Sequence, residues 1–206
     1  MTTADGETLA ACHRRLSVSR LAACGELMGV PFDGDTLWVP FFNRTYLVSP
    51  NRMEDTHGNQ PTDAVGLVLY RYILQYPSIP VPDGRQITFR ELSGAGPLVS
   101  SFARNTNKLI ASAFGGNMVE LIARSIKLNG ERHTTRSDYD VSVRFPALHG
   151  VPLFLHFNDN DDLFPARTTL LFYQSAERYL DMQGLFMLGT WLAGSLVSEK
   201  AEASIG

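Results

Sequence analysis

The stretch Asp138-Tyr139-Asp140-Val141-Ser142-Val143-Arg144-Phe145 alternates without a break: Tyr139, Val141, Val143 and Phe145 fall on one side, Asp138, Asp140, Ser142 and Arg144 on the other. A period of two describes a strand with one face on a core and the other toward solvent. Residues 151–157 and 168–173 are nearly continuous apolar runs, the pattern of strands covered on both faces. Between them lies Asn158-Asp159-Asn160-Asp161-Asp162, and two such runs joined by an Asn/Asp-rich segment predict an antiparallel hairpin.

Outward from these strands the pattern changes to a helical one. On the N-terminal side, Asn117 stands three residues before Glu120 as in a capping box, and Met118, Leu121, Ile122, Ser125 and Leu128 form an inner face closed by Asn129-Gly130. Before that, Val99, Phe102, Ala103, Thr106, Ile110, Ala113 and Phe114 keep a three-four spacing up to Gly115-Gly116. Ile87-Thr88-Phe89-Arg90 reads as one short strand after a Pro- and Gly-rich loop over 78–85. Pro61 suits a first helical residue, with Val65 to Leu74 a buried helix that Pro77 ends. Residues 37–48 predict a hairpin around Asn43-Arg44. Residues 8–29 predict one amphipathic helix through Leu9, Cys12, Leu16, Ala23 and Leu27, ended by Gly29 and Pro31. On the C-terminal side, Asp181 caps a helix whose Leu185, Leu188, Leu192 and Leu196 form a seam beside Gly189 and Ala193. Without regular βαβ alternation, the order predicts a single α+β domain over 1–206, with about five or six short, mostly antiparallel strands packed against about five helices.

Composition bounds the function. The 206 residues are 44% hydrophobic and 19% charged, enough for a core and too apolar for a disordered chain. A net charge of -3 and a pI near 5.9 exclude the usual basic footprint of nucleic-acid binding. The longest nearly apolar run, 185–197, is 13 residues, against about 18 for a membrane span. The first ten residues carry Asp5 and Glu7 and no secretory pattern, and Cys12 and Cys24 are twelve apart on one predicted helix, beyond disulfide reach. A cytoplasmic protein is expected.

Charge is segregated. Residues 99–136 carry a net +4 and residues 137–163 a net -4. Such a basic helical segment suits an acidic cofactor or partner, and equally suits a solvated helix face. The acidic turn with Asp159, Asp161 and Asp162 offers oxygen ligands, but lacks the glycine, the glutamate and the flanking helices of a calcium-binding EF-hand, and Asn and Asp favour any turn. Gly94-Ala95-Gly96-Pro97 lies between a strand and a helix start, where an anion would find N–H groups, but Val99 stands where a dinucleotide fingerprint has a third glycine. The histidines, His13, His57, His133, His149 and His156, have no zinc-ligand spacing; His156 stands out because it interrupts an apolar strand beside the acidic turn. No Gly-x-Ser-x-Gly motif or paired cysteine supports nucleophilic catalysis.

Phe89-Arg90-Glu91-Leu92-Ser93-Gly94, then Asp161-Asp162-Leu163-Phe164-Pro165 with Leu171-Phe172 and Ser175-Ala176, resemble one family, with further support from Val39-Pro40-Phe41, Tyr46-Leu47-Val48, Phe114-Gly115 and the 146–152 segment. The chain resembles the domain of unknown function 3786 family. That resemblance implies a bacterial or archaeal protein, mostly of anaerobes, with no named activity, some members being joined to an iron–sulfur domain. Two cysteines cannot themselves supply the four thiolates of an ordinary cluster.

Together these readings predict a cytoplasmic binding or accessory domain for a small anionic ligand, a cofactor or a protein partner, such as an iron–sulfur or cofactor-metabolism protein. The expected ligand residues are Arg90, Glu91, Gly94, Gly96, His156, Asp161 and Asp162, with no metal site, nucleic acid or membrane. One alternative is an enzyme with Asp161 or Asp162 as base and Arg90 orienting substrate. Another is a structural subunit of an assembly.

Overall fold

The described chain, residues 12, 15–79, 81–135 and 138–198 of a computed structural model, runs α1 (Val18–Met28), β1 (Phe32–Asp33), β2 (Thr36–Phe41), β3 (Arg44–Val48), β4 (Met53–Asp55), α2 (Asp63–Gln75) and β5 (Gln86–Thr88). There follow α3 (Val99–Ala103), α4 (Leu109–Phe114), α5 (Met118–Lys127), β6 (Glu131–Arg132), β7 (Val141–Leu148), β8 (Val151–Asn158), β9 (Arg167–Tyr173) and α6 (Met182–Val197). The fold is α+β and its strand pairs are antiparallel, as expected. Instead of one sheet there are two, in the orders β1-β2-β3-β4 and β5-β9-β8-β7-β6. The two-residue strands β1 and β6, and β4, carry too little periodicity to read from sequence.

β8 occupies the middle of the larger sheet, and residues 151–157 are buried throughout, as their nearly continuous hydrophobicity demands, His156 included. β7 shows the expected alternation, with Val141, Val143 and Phe145 inward, but begins at Val141. Asp138 and Asp140 lie before the strand, where the Asp140 carboxylate accepts the Asp159 N–H at 2.7 Å. β9 corrects the expectation of two covered faces: Thr168, Leu170 and Phe172 are buried, while Thr169, Leu171 and Tyr173 are only partly covered.

Several local expectations shift by a few residues for identifiable reasons. Ser17 is extended and its Oγ accepts the Arg20 N–H, so α1 starts at Val18 and Cys12 and Cys24 do not share one continuous helix. Residues 8–11, where that helix was expected to begin, lie outside the described residues. Both cysteines are buried thiols. The first hairpin turns on Phe42-Asn43, because Phe41 already pairs with Arg44. Thr62, not Pro61, bounds α2, accepting the Val65 N–H. The strand expected over Ile87–Arg90 ends at Thr88: the Glu91 carboxylate accepts the Thr88 N–H and hydroxyl and bends 89–91 into a 3₁₀ turn.

The helix expected over 99–114 is interrupted by a π turn at Arg104–Lys108, where the Thr106 hydroxyl donates to the Phe102 carbonyl at 2.6 Å. Its neighbour, the Asn107 side chain, accepts the Leu170 N–H at 3.1 Å, just beyond the point where β5 stops pairing with β9.

One hydrophobic core joins both sheets and the helices. Phe89 and Phe102 stack at 3.9 Å, and Gly189 of α6 lets the Phe102 ring approach where a Cβ would lie 2.6 Å from it. Phe42 has φ 51, a strained value for an aromatic residue, held because its ring stacks on Trp191 at 4.5 Å and its N–H donates to the Ala147 carbonyl. That turn fastens the smaller sheet to β7. Arg124, one of the basic helical residues, pairs with Glu120 and donates to the carbonyls of Leu196 and Val197, so it closes the C-terminal end of α6.

Candidate functional site

The two loops singled out in the sequence lie at opposite ends of one helical run. The helical run over 99–114 begins at the Gly94–Gly96 loop and ends at Gly116, whose N–H donates to Asp159 of the acidic turn at 2.6 Å. Sixteen residues at 1.5 Å each put about 24 Å between them. The Ser93 N–H donates to Glu177, which follows β9, whereas the acidic turn precedes β9. Arg90, Glu91, Gly94 and Gly96 therefore share no site with His156, Asp161 and Asp162.

The N–H groups of Leu92, Ser93, Ala95, Leu98 and Val99 already have protein acceptors, and the helix that follows is only five residues long. Gly94 supplies a φ of +74 for the turn. Glu91 accepts from Thr88 and Arg85, and these bonds hold its carboxyl below the usual range. Arg90 is exposed.

The acidic turn is similarly self-contained. Asp161 Oδ1 accepts the N–H groups of Leu163 and Phe164, each at 2.7 Å, and these two bonds lower its pKa. Asp159 Oδ1 accepts from Gly116 and Asn160, and Asp162 is exposed. Among the described residues no group of three or more His, Cys, Asp or Glu side chains is placed to hold a metal ion. His156 is buried in β8, with its Nδ1 3.0 Å from the Ser142 hydroxyl and the Tyr139 ring stacked on it at 4.3 Å. Burial first, and then the charge of His133, push its pKa down.

A concave site lies elsewhere. A cleft of about 510 Å³ opens between the end of α1, a strap formed by residues 76–79 and 81–83, and the β7–β8 turn. Its size falls within the usual range for small-molecule pockets. Four prolines, Pro40, Pro77, Pro146 and Pro152, form part of its wall, with Leu27, Val30, Ile79 and Val81 among the other apolar groups. Pro146 coincides with the register irregularity between Phe145 and Leu148, where β7 can do without a ladder N–H. The Ser175 hydroxyl holds the strap by donating to the Asp83 carbonyl at 2.7 Å.

The polar end of the cleft is built by tyrosines. The Tyr76 hydroxyl lies 2.6 Å from His149 Nδ1, and the Tyr72 hydroxyl donates to the His149 carbonyl at 2.8 Å. Burial, with Tyr179 nearby, pushes the Tyr76 phenol up to about 12, so it keeps its proton. With the Tyr76 hydroxyl donating to Nδ1, the ring hydrogen of His149 lies on Nε2. Gly150 makes the arrangement possible: its φ is +76, and a Cβ there would meet Tyr179 Cζ at 2.4 Å. Arg144 and Asp83 supply charge to the lining; the Arg144 guanidinium lies 3.9 Å from Glu131, a loose and exposed pair.

Sequence periodicity passes over this site because Tyr76 and His149 are 73 residues apart. The available signal was the prolines flanking His149-Gly150 on both sides, unusual within paired strands.

No helix among the described residues is long and apolar enough to cross a membrane. No curated protein and no solved structure matches the chain. A family model described as a domain of unknown function matches residues 21–195, spanning both sheets and nearly all of α6, so the chain belongs to the domain of unknown function 3786 family.

Proposed function

We propose that this chain is a cytoplasmic binding protein with an accessory role, and that it seats a small molecule in the cleft between the strap and the β7–β8 turn. The observation that carries this is the Tyr76–His149 hydrogen bond at the edge of a preformed, largely apolar cavity, a combination typical of ligand sites. Two buried thiols, neither in a disulfide, support a reducing compartment. The resemblance described above supports placing the role in anaerobic metabolism, with a cofactor-handling protein as the partner that delivers or receives the ligand.

The hydrogen bonds of Asp161 weigh against the carboxylate-enzyme alternative. A general base works best with a pKa near the operating pH, and the Leu163 and Phe164 N–H groups move Asp161 the other way.

Methyl NMR during titration with a library of small organic fragments tests the seat. The expected result is that binders shift the methyls of Leu27, Val30, Ile79, Val81 and Leu148, which line the cleft. Shifts confined to the Gly94–Gly96 loop or the acidic turn, or no binder at all, would overturn the proposal.

A further inference from the structure

The donor inventory of the cleft narrows its ligand. The proline walls have no N–H to offer, and the leucine, valine and isoleucine side chains have no polar atom. The Tyr76 hydroxyl is engaged by His149 Nδ1. Three side-chain donors therefore stand out in the lining: the Tyr179 hydroxyl, the guanidinium of Arg144, whose paired N–H groups make it the one fork-shaped donor, and, with Nδ1 accepting from Tyr76, the Nε2–H of His149. Arginine presents paired N–H groups that match the two oxygens of a carboxylate, and its loose contact with exposed Glu131 leaves that geometry open.

We infer that the cleft takes an apolar monocarboxylate, its carboxylate received by Arg144 and His149 and its hydrocarbon or aromatic body lying against the prolines. This rests on the binding role proposed above and adds the class of ligand. Proline rings give flat, rigid apolar surface that loses no side-chain entropy when covered, which suits a flat or ring-shaped body. Asp83, on the strap, is the acidic group of the lining, and it makes a zwitterionic amino acid the main competing chemistry.

Calorimetric titration with 3-phenylpropionate, 3-phenylpropionamide and phenylalanine separates these cases, with methyl NMR reporting where each binds. The carboxylate is expected to bind in the cleft at least tenfold more tightly than the isosteric amide. Arg144→Gln is expected to abolish that difference, and Arg144→Lys to restore part of it, with an unchanged denaturation midpoint showing that both variants fold. Equal affinity for carboxylate and amide, tighter binding of phenylalanine, or an Arg144→Gln variant that keeps the preference would each overturn the ligand class and leave the cleft as a binding site. Fragments that never shift the cleft methyls would instead remove the binding role itself.

Discussion

At the acidic turn between β8 and β9 and where Asp140 and Gly116 meet it, five backbone N–H groups end on the carboxylates of Asp140, Asp159 and Asp161. At the β7–β8 turn the chain does the reverse: Tyr76 takes up one nitrogen of His149, beside a cavity, and leaves the other unclaimed among the described residues. The first region has more charge and the second has more chemistry to offer a ligand. Charge density in a sequence marks where polar groups are, whereas availability depends on whether the local backbone has already claimed them. An Asn/Asp-rich turn is the kind of segment that claims its own side chains.

Glycine substitutions at the β7–β8 turn and at Gly116, which abuts the acidic turn, are expected to give the widest separation. Gly150 and Gly116 both have left-handed backbones, φ +76 and +78. At Gly150 an added methyl also meets the Tyr179 ring, with its Cζ at 2.4 Å, whereas at Gly116 the nearest atom is the Asn160 side-chain oxygen at 3.6 Å. Gly150→Ala should lower unfolding free energy by about 3 kcal/mol, combining overpacking with backbone strain. Gly116→Ala should lower it by about 1 kcal/mol, from strain alone. Urea denaturation of both variants checks the ordering; equal losses would mean that the Tyr179 wall is not rigid.

Tyr76→Phe comes next. The ring still packs edge-on against Tyr72 and Tyr179, so the loss is that of one hydrogen bond, about 1 kcal/mol. Without the hydroxyl the His149 ring loses its fixed tautomer, and affinity for cleft ligands should fall several-fold. A variant that loses stability but binds as before would assign the tyrosine a structural role only.

The α+β class, the β7–β8–β9 meander and the Asp181 cap of α6 were legible because each rests on neighbouring residues: alternation, an apolar run, or a cap whose carboxylate meets the Gly184 N–H at 2.7 Å. The docking of a separate smaller sheet was not, since it runs through Phe42, whose ring, N–H and carbonyl engage Trp191, Ala147 and Asn129 far along the chain. The site was hidden for the same reason. Its wall is assembled from α1, β2, the strap and β7–β8, and no local pattern encodes that convergence.

His156 should reveal itself through pH. Its native pKa is depressed, by burial and then by His133, so below the unfolded value of about 6.5 the unfolded chain takes up the proton first. The stabilisation conferred by keeping this histidine neutral is present above that pH and declines as pH falls through it toward the native pKa. His156→Gln is expected to flatten the fall in stability between pH 7 and 5 relative to the parent, followed by denaturation midpoints. An unchanged slope would mean that Tyr139 does not shield the ring.

The smallest effect is expected in the region with the most charge. Asparagine at position 161 keeps an oxygen for the Leu163 and Phe164 N–H groups, so Asp161→Asn combined with Asp162→Asn should preserve the turn. What changes is the linkage to protons. The depressed pKa of Asp161 contributes stability above the unfolded value of about 3.9 and loses it as pH falls to the native value, so the double variant should differ from the parent chiefly in acid. Near neutral pH its affinity for a cleft ligand should match the parent's in a calorimetric titration, because the carboxylates are engaged in a turn on another part of the fold. A large loss of binding at pH 7 would break the contrast between the two turns, because carboxylates that serve only their own backbone have no means of reaching a ligand held by Arg144 and His149.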